Sequence, residues 1–373
     1  LLAQRFPRLY TVPLTSPLNE QTGTRRVIEM NRIFFFSSAS LLLAAWLLNP
    51  ALDYGTSSVD AAAASARTAD AITAAVKKVA SKLSVRQREK ALFDFKDEER
   101  LNWHFIPRPR KGLALSEMND AQKKLVQDLL LVSLGEKGAR TVEEVRSLEG
   151  ILRSIEGPNR RFSRDPEHYY LSIFGTPGSK EKWGWRFEGH HLCLNFTLQG
   201  KSVLSATPLF YGANPAMVEN GSRKGLRVLG KVEDLAQQLM RSLDESQLKT
   251  ALGKGKPEEV KATQAATYNA RLPLGLPGSS MNEVQVKALT QLVLEHTGNL
   301  EKDLRKEMEI SLTKNVADIQ LAWRGKLGAG EGHSFIVHGP DFIISYANFQ
   351  NNAAHIHSAL RARKGEFGID SEK

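Results

Sequence analysis

His355 and His357 flank a single residue in the segment Gln350-Asn-Asn-Ala-Ala-His-Ile-His-Ser358. In extended chain, residues two apart point to the same side, so both imidazoles can reach one metal ion. A second pair, His190-His191, sits inside the apolar run Gly189–Leu198. Alternation along that run predicts His190, Leu192, Leu194, Phe196 and Leu198 on a core face. It predicts His191, Cys193, Asn195 and Thr197 on the other, which makes His191 the better-placed ligand. A bulge at Gly189 would exchange the two histidines. Imidazole suits one transition metal ion such as Zn, Cu or Fe. His191, His355 and His357 with a fourth position open to water would resemble a catalytic zinc arrangement. Such an ion lowers the pKa of bound water or acts as a Lewis acid. His190 and His104, the latter in Asn102-Trp-His-Phe105, are secondary candidates.

Asn195 or Asn352 would orient these groups through hydrogen bonds. Trp183 and Trp185 alternate beside Arg186 and Glu188. With the loop at Asn351-Asn352 they would form a wall for a small molecule, the alternative being core packing. Three readings stay open: a metal-dependent enzyme, a non-catalytic extracytoplasmic binding module, and a structural envelope protein whose histidines only pack. No Gly-rich strand-to-helix loop, GxSxG, HExxH or paired CxxC occurs, so nucleotide binding and those hydrolase chemistries have no support.

The elements that would position these residues follow from local signals. Ser84/Gln87, Asn119/Gln122, Asp244/Gln247 and Asn282/Gln285 each read as a capping box opening a helix. Further helices are expected over Val142–Ile155, Val232–Leu243 and Leu300–Leu312. The likeness of Met118-Asn119 to Met281-Asn282 reads as shared cap chemistry rather than an internal repeat. Strands are expected over Tyr169–Phe174, Trp183–Leu198 and Val203–Phe210. A second block covers Ile319–Trp323, Ser334–Val337 and Phe342–Phe349. Hairpins with segregated helices predict an α+β fold with a mainly antiparallel sheet. Residues 253–280, rich in Gly, Pro and Lys, read as a surface loop or a junction.

The N-terminal stretch reads as an export signal. Residues 1–29 look like a mis-called extension before a start at Met30. Residues 30–54 read as a signal peptide or membrane anchor, with Arg32 before the apolar run Ile33–Leu48. Residues 55–83 read as an Ala/Ser-rich tether, transiently helical from Asp70 to Leu83, and the folded domain as 84–373. The expected location is periplasmic, extracellular or anchored, with membrane contact only through the N-terminal segment. The net charge is +10, from 51 Lys and Arg against 41 Asp and Glu. Residues 1–83 contribute nearly half of it, and the remainder is no nucleic-acid footprint. The basic run Arg108–Lys111 reads as a solvated face. The lone Cys193 reads as a small core residue.

Several longer motifs then form a set. They are Asn102-Trp-His-Phe-Ile-Pro107, Arg161-Phe-Ser-Arg-Asp-Pro166, Trp183-Gly-Trp-Arg-Phe-Glu-Gly-His-His-Leu192, Phe210-Tyr-Gly-Ala-Asn-Pro215 and His355-Ile-His-Ser358. In that order they resemble the domain of unknown function 3500 family, from Ser84 to Asp370. The family is functionally uncharacterised, so the resemblance bears on domain extent and export more than on activity. Where that pattern carries Asn before the His-x-His, this chain has Ala354. Where it carries an aromatic, an acid and an upstream strand acid, this chain has Leu360, Ala362, Ser345 and Ala347. The comparison implies that carboxylates supporting the histidines are missing here.

Overall fold

Four polar signals set the helical frame. Ser84, Asn119, Asp244 and Asn282 each accept the backbone N–H of the following capping-box Gln, whose side chain accepts the cap's own N–H. The computed structural model describes residues 58–262 and 272–369. Its helices are α1 (Ser58–Ser81), α2 (Val85–Ala91), α3 (Asp120–Glu156), α4 (Gly230–Arg241), α5 (Glu245–Ala251), α6 (Glu283–Thr297) and α7 (Lys302–Thr313). Its strands are β1 (Leu92–Phe93), β2 (Leu113–Ala114), β3 (Tyr169–Phe174), β4 (Lys182–Gly189), β5 (Leu192–Gln199) and β6 (Ser202–Ser205). They continue as β7 (Leu209–Ala213), β8 (Leu276–Pro277), β9 (Gln320–Gly325), β10 (His333–His338), β11 (Phe342–Gln350) and β12 (His355–Ala362).

The strands form one large, mostly antiparallel sheet in the order β1-β3-β4-β5-β7-β12-β11-β10-β9-β8. Five-residue pairing joins β7 to β12, from Ile356–Ala213 to Leu360–Leu209. That ladder brings the end of the chain alongside its middle. One face of the sheet packs against the helices. A smaller apolar cluster on the other side joins Trp103, Phe105, Val260 and Phe367 to Cys193, Phe210, Ala347 and Ala359. Arg186 is buried on that side between Glu99 at 2.5 Å and Glu188 at 2.9 Å.

Three expectations need correction. Residues 58–81 are not a tether but helix α1, whose Ala69, Ile72, Val76 and Val79 recur at helical spacing and are all buried. Burying each Ile or Val fully is worth about 1.5–3 kcal/mol, so the folded unit begins well before Ser84. The run Trp183–Leu198 is not one strand, because His190 and His191 form the turn between β4 and β5. The run Val203–Phe210 divides into β6 and β7 around the cis Thr207–Pro208 bond. The segments read as an export extension and signal, residues 1–54, lie outside the described residues. Among the described residues no helix is long and apolar enough to cross a membrane.

The likeness of the two Met-Asn sites is also more than cap chemistry. Gln122 Nε2 donates to the Lys82 carbonyl at 2.8 Å, while Gln87 Nε2 donates to the Glu117 carbonyl at 2.7 Å. In the later half Gln285 Nε2 donates to the Ser242 carbonyl at 2.7 Å, and Gln247 Nε2 to the Ser280 carbonyl at 2.8 Å. The two Gln side chains also meet each other in both halves. The buried stripe Ala69, Ile72, Val76, Val79, Leu83 of the first half is matched by Leu229, Val232, Ala236, Leu239, Leu243. Glycines break the following helical segment in each half, Gly135 within α3 at φ 67° and Gly298 between α6 and α7. Strand register repeats too: Tyr170–Glu188 and Glu188–Cys193 correspond to Gln320–His338 and His338–Ile343. The sheet is therefore two copies of one arrangement, related by a pseudo-two-fold beside the central pair Leu209–Leu360.

Candidate metal centre

The turn between β4 and β5 delivers His191. Its backbone lies in the left-handed region, φ 62°, which costs a non-glycine residue of order 1–3 kcal/mol. Four hydrogen bonds hold the turn in place. Tyr169 Oη donates to the His190 carbonyl at 2.8 Å, and Arg110 Nη2 to the Gly189 carbonyl at 3.0 Å. The His191 N–H reaches the Phe105 carbonyl at 2.9 Å, and the Gly212 N–H reaches the His191 carbonyl at 2.8 Å. Gly212 is needed for a second reason. A Cβ there would lie 2.9 Å from the His191 ring, so only glycine lets the imidazole cross β7.

The first residues of β12 deliver His355 and His357. The preceding turn holds Asn351, Asn352 and Ala353 in succession at positive φ. Asn348, buried on β11 beside the bulge, accepts the His355 N–H on its side-chain oxygen at 3.1 Å. The register β7–β12 places His357 opposite Gly212. His191 Nε2 then stands 2.8 Å from His355 Nε2 and 3.2 Å from His357 Nε2. One nitrogen from each ring lies within 4.8 Å of the others. For zinc at 2.0–2.1 Å in tetrahedral geometry, ligand nitrogens sit about 3.3 Å apart. The observed spread is close to that, and three ring nitrogens facing one point suit a cation better than one another. The three histidines could therefore hold a metal ion.

The supporting carboxylate is present, contrary to expectation. Glu259, in the loop after α5, places Oε1 2.7 Å from His357 Nδ1. That contact fixes the ring and leaves Nε2 for the cluster. Glu259 also accepts from Gln350 Nε2 at 2.5 Å and from the Val260 N–H at 2.7 Å. Burial opposes its ionisation, but these donors outweigh burial and hold the carboxyl below its ordinary value. Burial, reinforced by the neighbouring imidazoles, pushes His191 well below the ordinary histidine value. The same causes bring His355 down to about 3. Both rings are thus neutral, the form that binds metal. The floor under His357 is apolar: Phe105 and Phe210 stack at 4.1 Å, and Phe105 lies 4.7 Å from the His357 ring.

The other sequence candidates sit elsewhere. His190 is outside the cluster, its ring stacked at 3.7 Å on His191 and its Nδ1 2.5 Å from Glu149 Oε1. His104 lies apart, its backbone N–H on Glu188 Oε2 at 3.1 Å. Asn195 donates to the Pro208 carbonyl at 2.9 Å and does not touch the cluster. The strand alternation that paired it with His191 fails because His191 is in a turn. Trp183 and Trp185 are core residues, the latter stacked on Phe196 at 4.6 Å, so they build no ligand wall. Asn351 and Asn352 are exposed and shape the turn before His355. Arg110 is no solvated residue either, its side chain being only 3% exposed. Sequence reasoning missed Glu259, Asn348 and Gly212. The only visible signal for Glu259 was an acidic pair, Glu258-Glu259, in a basic loop.

A family model described as Protein of unknown function (DUF3500) matches residues 65–369. No curated protein and no solved structure matches the chain.

Proposed function

We propose, from the premise that this chain belongs to the DUF3500 family and so inherits no assigned activity, that it is a metal-dependent protein. His191, His355 and His357 are the ligands, with Glu259 as the positioning carboxylate. The observation that carries this is the convergence of three Nε2 atoms from two distant chain segments, with a carboxylate on the far nitrogen of one ring. An ion held there would supply a Lewis acid and an acidified water. The protein's own part is to hold three rings rigidly, through the braced β4–β5 turn and the Asn348 contact, and to keep an apolar floor beneath them. A hydrolytic or metal-assisted reaction on a small molecule is the class this supports, with export inferred from Met30-Asn-Arg32 and the apolar run that follows.

The test is elemental analysis of untagged protein. We expect about one transition metal ion per chain, lost in His191→Ala and His357→Ala with the fold retained by circular dichroism. Saturating metal at a hundredfold excess over its Kd should stabilise wild type by about 2.7 kcal/mol. Sub-stoichiometric metal, unchanged in both variants, overturns the assignment.

A further inference from the structure

Beside the cluster lies a cleft of about 390 Å³ between residues 107–110, residues 161–170 and the β4–β5 turn. Its size suits a small organic ligand. Its inner end is His190, 8% exposed, whose ring stacks on His191. Glu149 and Arg164 both engage His190 at Nδ1, which leaves Nε2 as the ring nitrogen without a protein partner. The rim is cationic. Arg161 is exposed, with its guanidinium 5.1 Å from the Phe162 ring. Arg108 commits Nη2 to Asn102, at 2.8 Å from its side-chain oxygen, while its Nε is buried with no partner. The carboxylates that line the cleft are already engaged. Glu149 contacts His190, and Asp165 accepts the Glu167 N–H at 2.8 Å and lies 3.6 Å from His168. Phe162 and Tyr170 give it aromatic walls.

We propose that this cleft binds a small organic carboxylate. Arg161 and Arg108 hold the anionic group, Phe162 and Tyr170 flank the body, and a polar inner end meets His190 Nε2 beside the histidine cluster. That this ligand is the substrate rests on the metal reading above; that the cleft binds it does not. Guanidinium is suited to the task because its planar fork matches a carboxylate.

The test is calorimetric titration of the full chain with phenylacetate and with its neutral counterpart phenylacetamide, both before and after chelator treatment. Phenylacetate should bind in both states, and the amide at least about tenfold more weakly, the value of a hydrogen bond to a charged group. Arg161→Ala, a change at an exposed site, should weaken phenylacetate about tenfold and leave the amide unchanged. Arg161→Lys should recover part of the loss. Equal binding of acid and amide, indifference to Arg161→Ala, or no binding of phenylacetate overturns the proposal. Binding that survives in a metal-free His357→Ala variant shows that the cleft acts without the metal, and phenylacetate binding by a wild type that holds only sub-stoichiometric metal upholds the cleft while the metal reading falls.

Discussion

The pseudo-two-fold axis lets two places in one molecule be compared directly. At the first, His191 closes the β4–β5 turn, and His355 and His357 open β12. At the second, the turn between β10 and β11 carries Asp341 where His191 stands and Pro340 where His190 stands. Leu204 and Ala206 occupy the positions before Leu209 that His355 and His357 occupy before Leu360. The helix nearby changes in step. Glu149, which contacts His190, is matched by Leu312. The second place is a cavity of about 290 Å³ lined by Leu204, Ala206, Leu304, Met308, Leu312 and Asp341 among others. Strand pairing is thus shared, while the turns differ, with His191 at positive φ and Asp341 not, and the polar groups are concentrated at one end. The lesson is that the fold offers two comparable places, and the residues at turns and strand starts decide which one gathers groups that could hold a metal.

The comparison is sharpened most by transplanting the ligands. The quadruple variant Leu204→His, Ala206→His, Asp341→His, Arg363→Gly should raise metal content from about one to about two ions per chain, because it supplies three imidazoles at the matching positions and the glycine that Gly212 provides at the first place. The Arg363 N–H meets the Asp341 carbonyl as the Gly212 N–H meets that of His191. Elemental analysis of untagged protein reads it. A well-folded quadruple variant that still holds a single ion breaks the equivalence of the two places.

The next effect is smaller. Glu259→Gln keeps the size of the side chain but removes the charge that faces His357 Nδ1. Metal affinity should fall about 10–100-fold, the usual consequence of losing an outer partner of a ligand histidine. Competition with a chromophoric chelator measures it. An unchanged affinity would assign Glu259 to the loop's own structure.

The smallest effect tests the scaffold itself. Gln122 and Gln285 are both buried and make matching hydrogen bonds in the two halves. Gln122→Ala and Gln285→Ala should each cost about 1–3 kcal/mol. The two costs should agree within about 0.5 kcal/mol, read from urea midpoints at constant m-value. Clearly unequal losses would mean that the halves have diverged in energetics as well as in chemistry.

Much of this frame is legible in the chain. All four capping boxes form, since a side-chain acceptor and a Gln at the right interval act within one turn and need no distant partner. The β3 boundaries, Tyr169–Phe174, match as well. What stayed hidden depends on contacts between remote segments. Gln87 meeting Gln122 and Gln247 meeting Gln285 turn cap likeness into a repeat only once the helices are placed. The His190-His191 turn was unreadable because hairpin loops with positive φ favour Asn or Gly; a histidine is held there by Tyr169, Arg110, Phe105 and Gly212. Tryptophans at alternating positions fit a ligand wall and a core strand equally well, and burial alone separates the two. Glu259 carries no periodic or turn signal, so its role emerges only when its loop is laid against β12.

The ladder between β7 and β12 is the place where the two halves of the sheet are stitched, and the imidazoles straddle that stitch. One ring belongs to the earlier half and two, with their carboxylate, to the later. An ion gripped from both sides would act as a rivet across the seam. Loading would then strengthen cohesion between the halves more than the interior of either, and stripping the ion would let the molecule part first along its own midline.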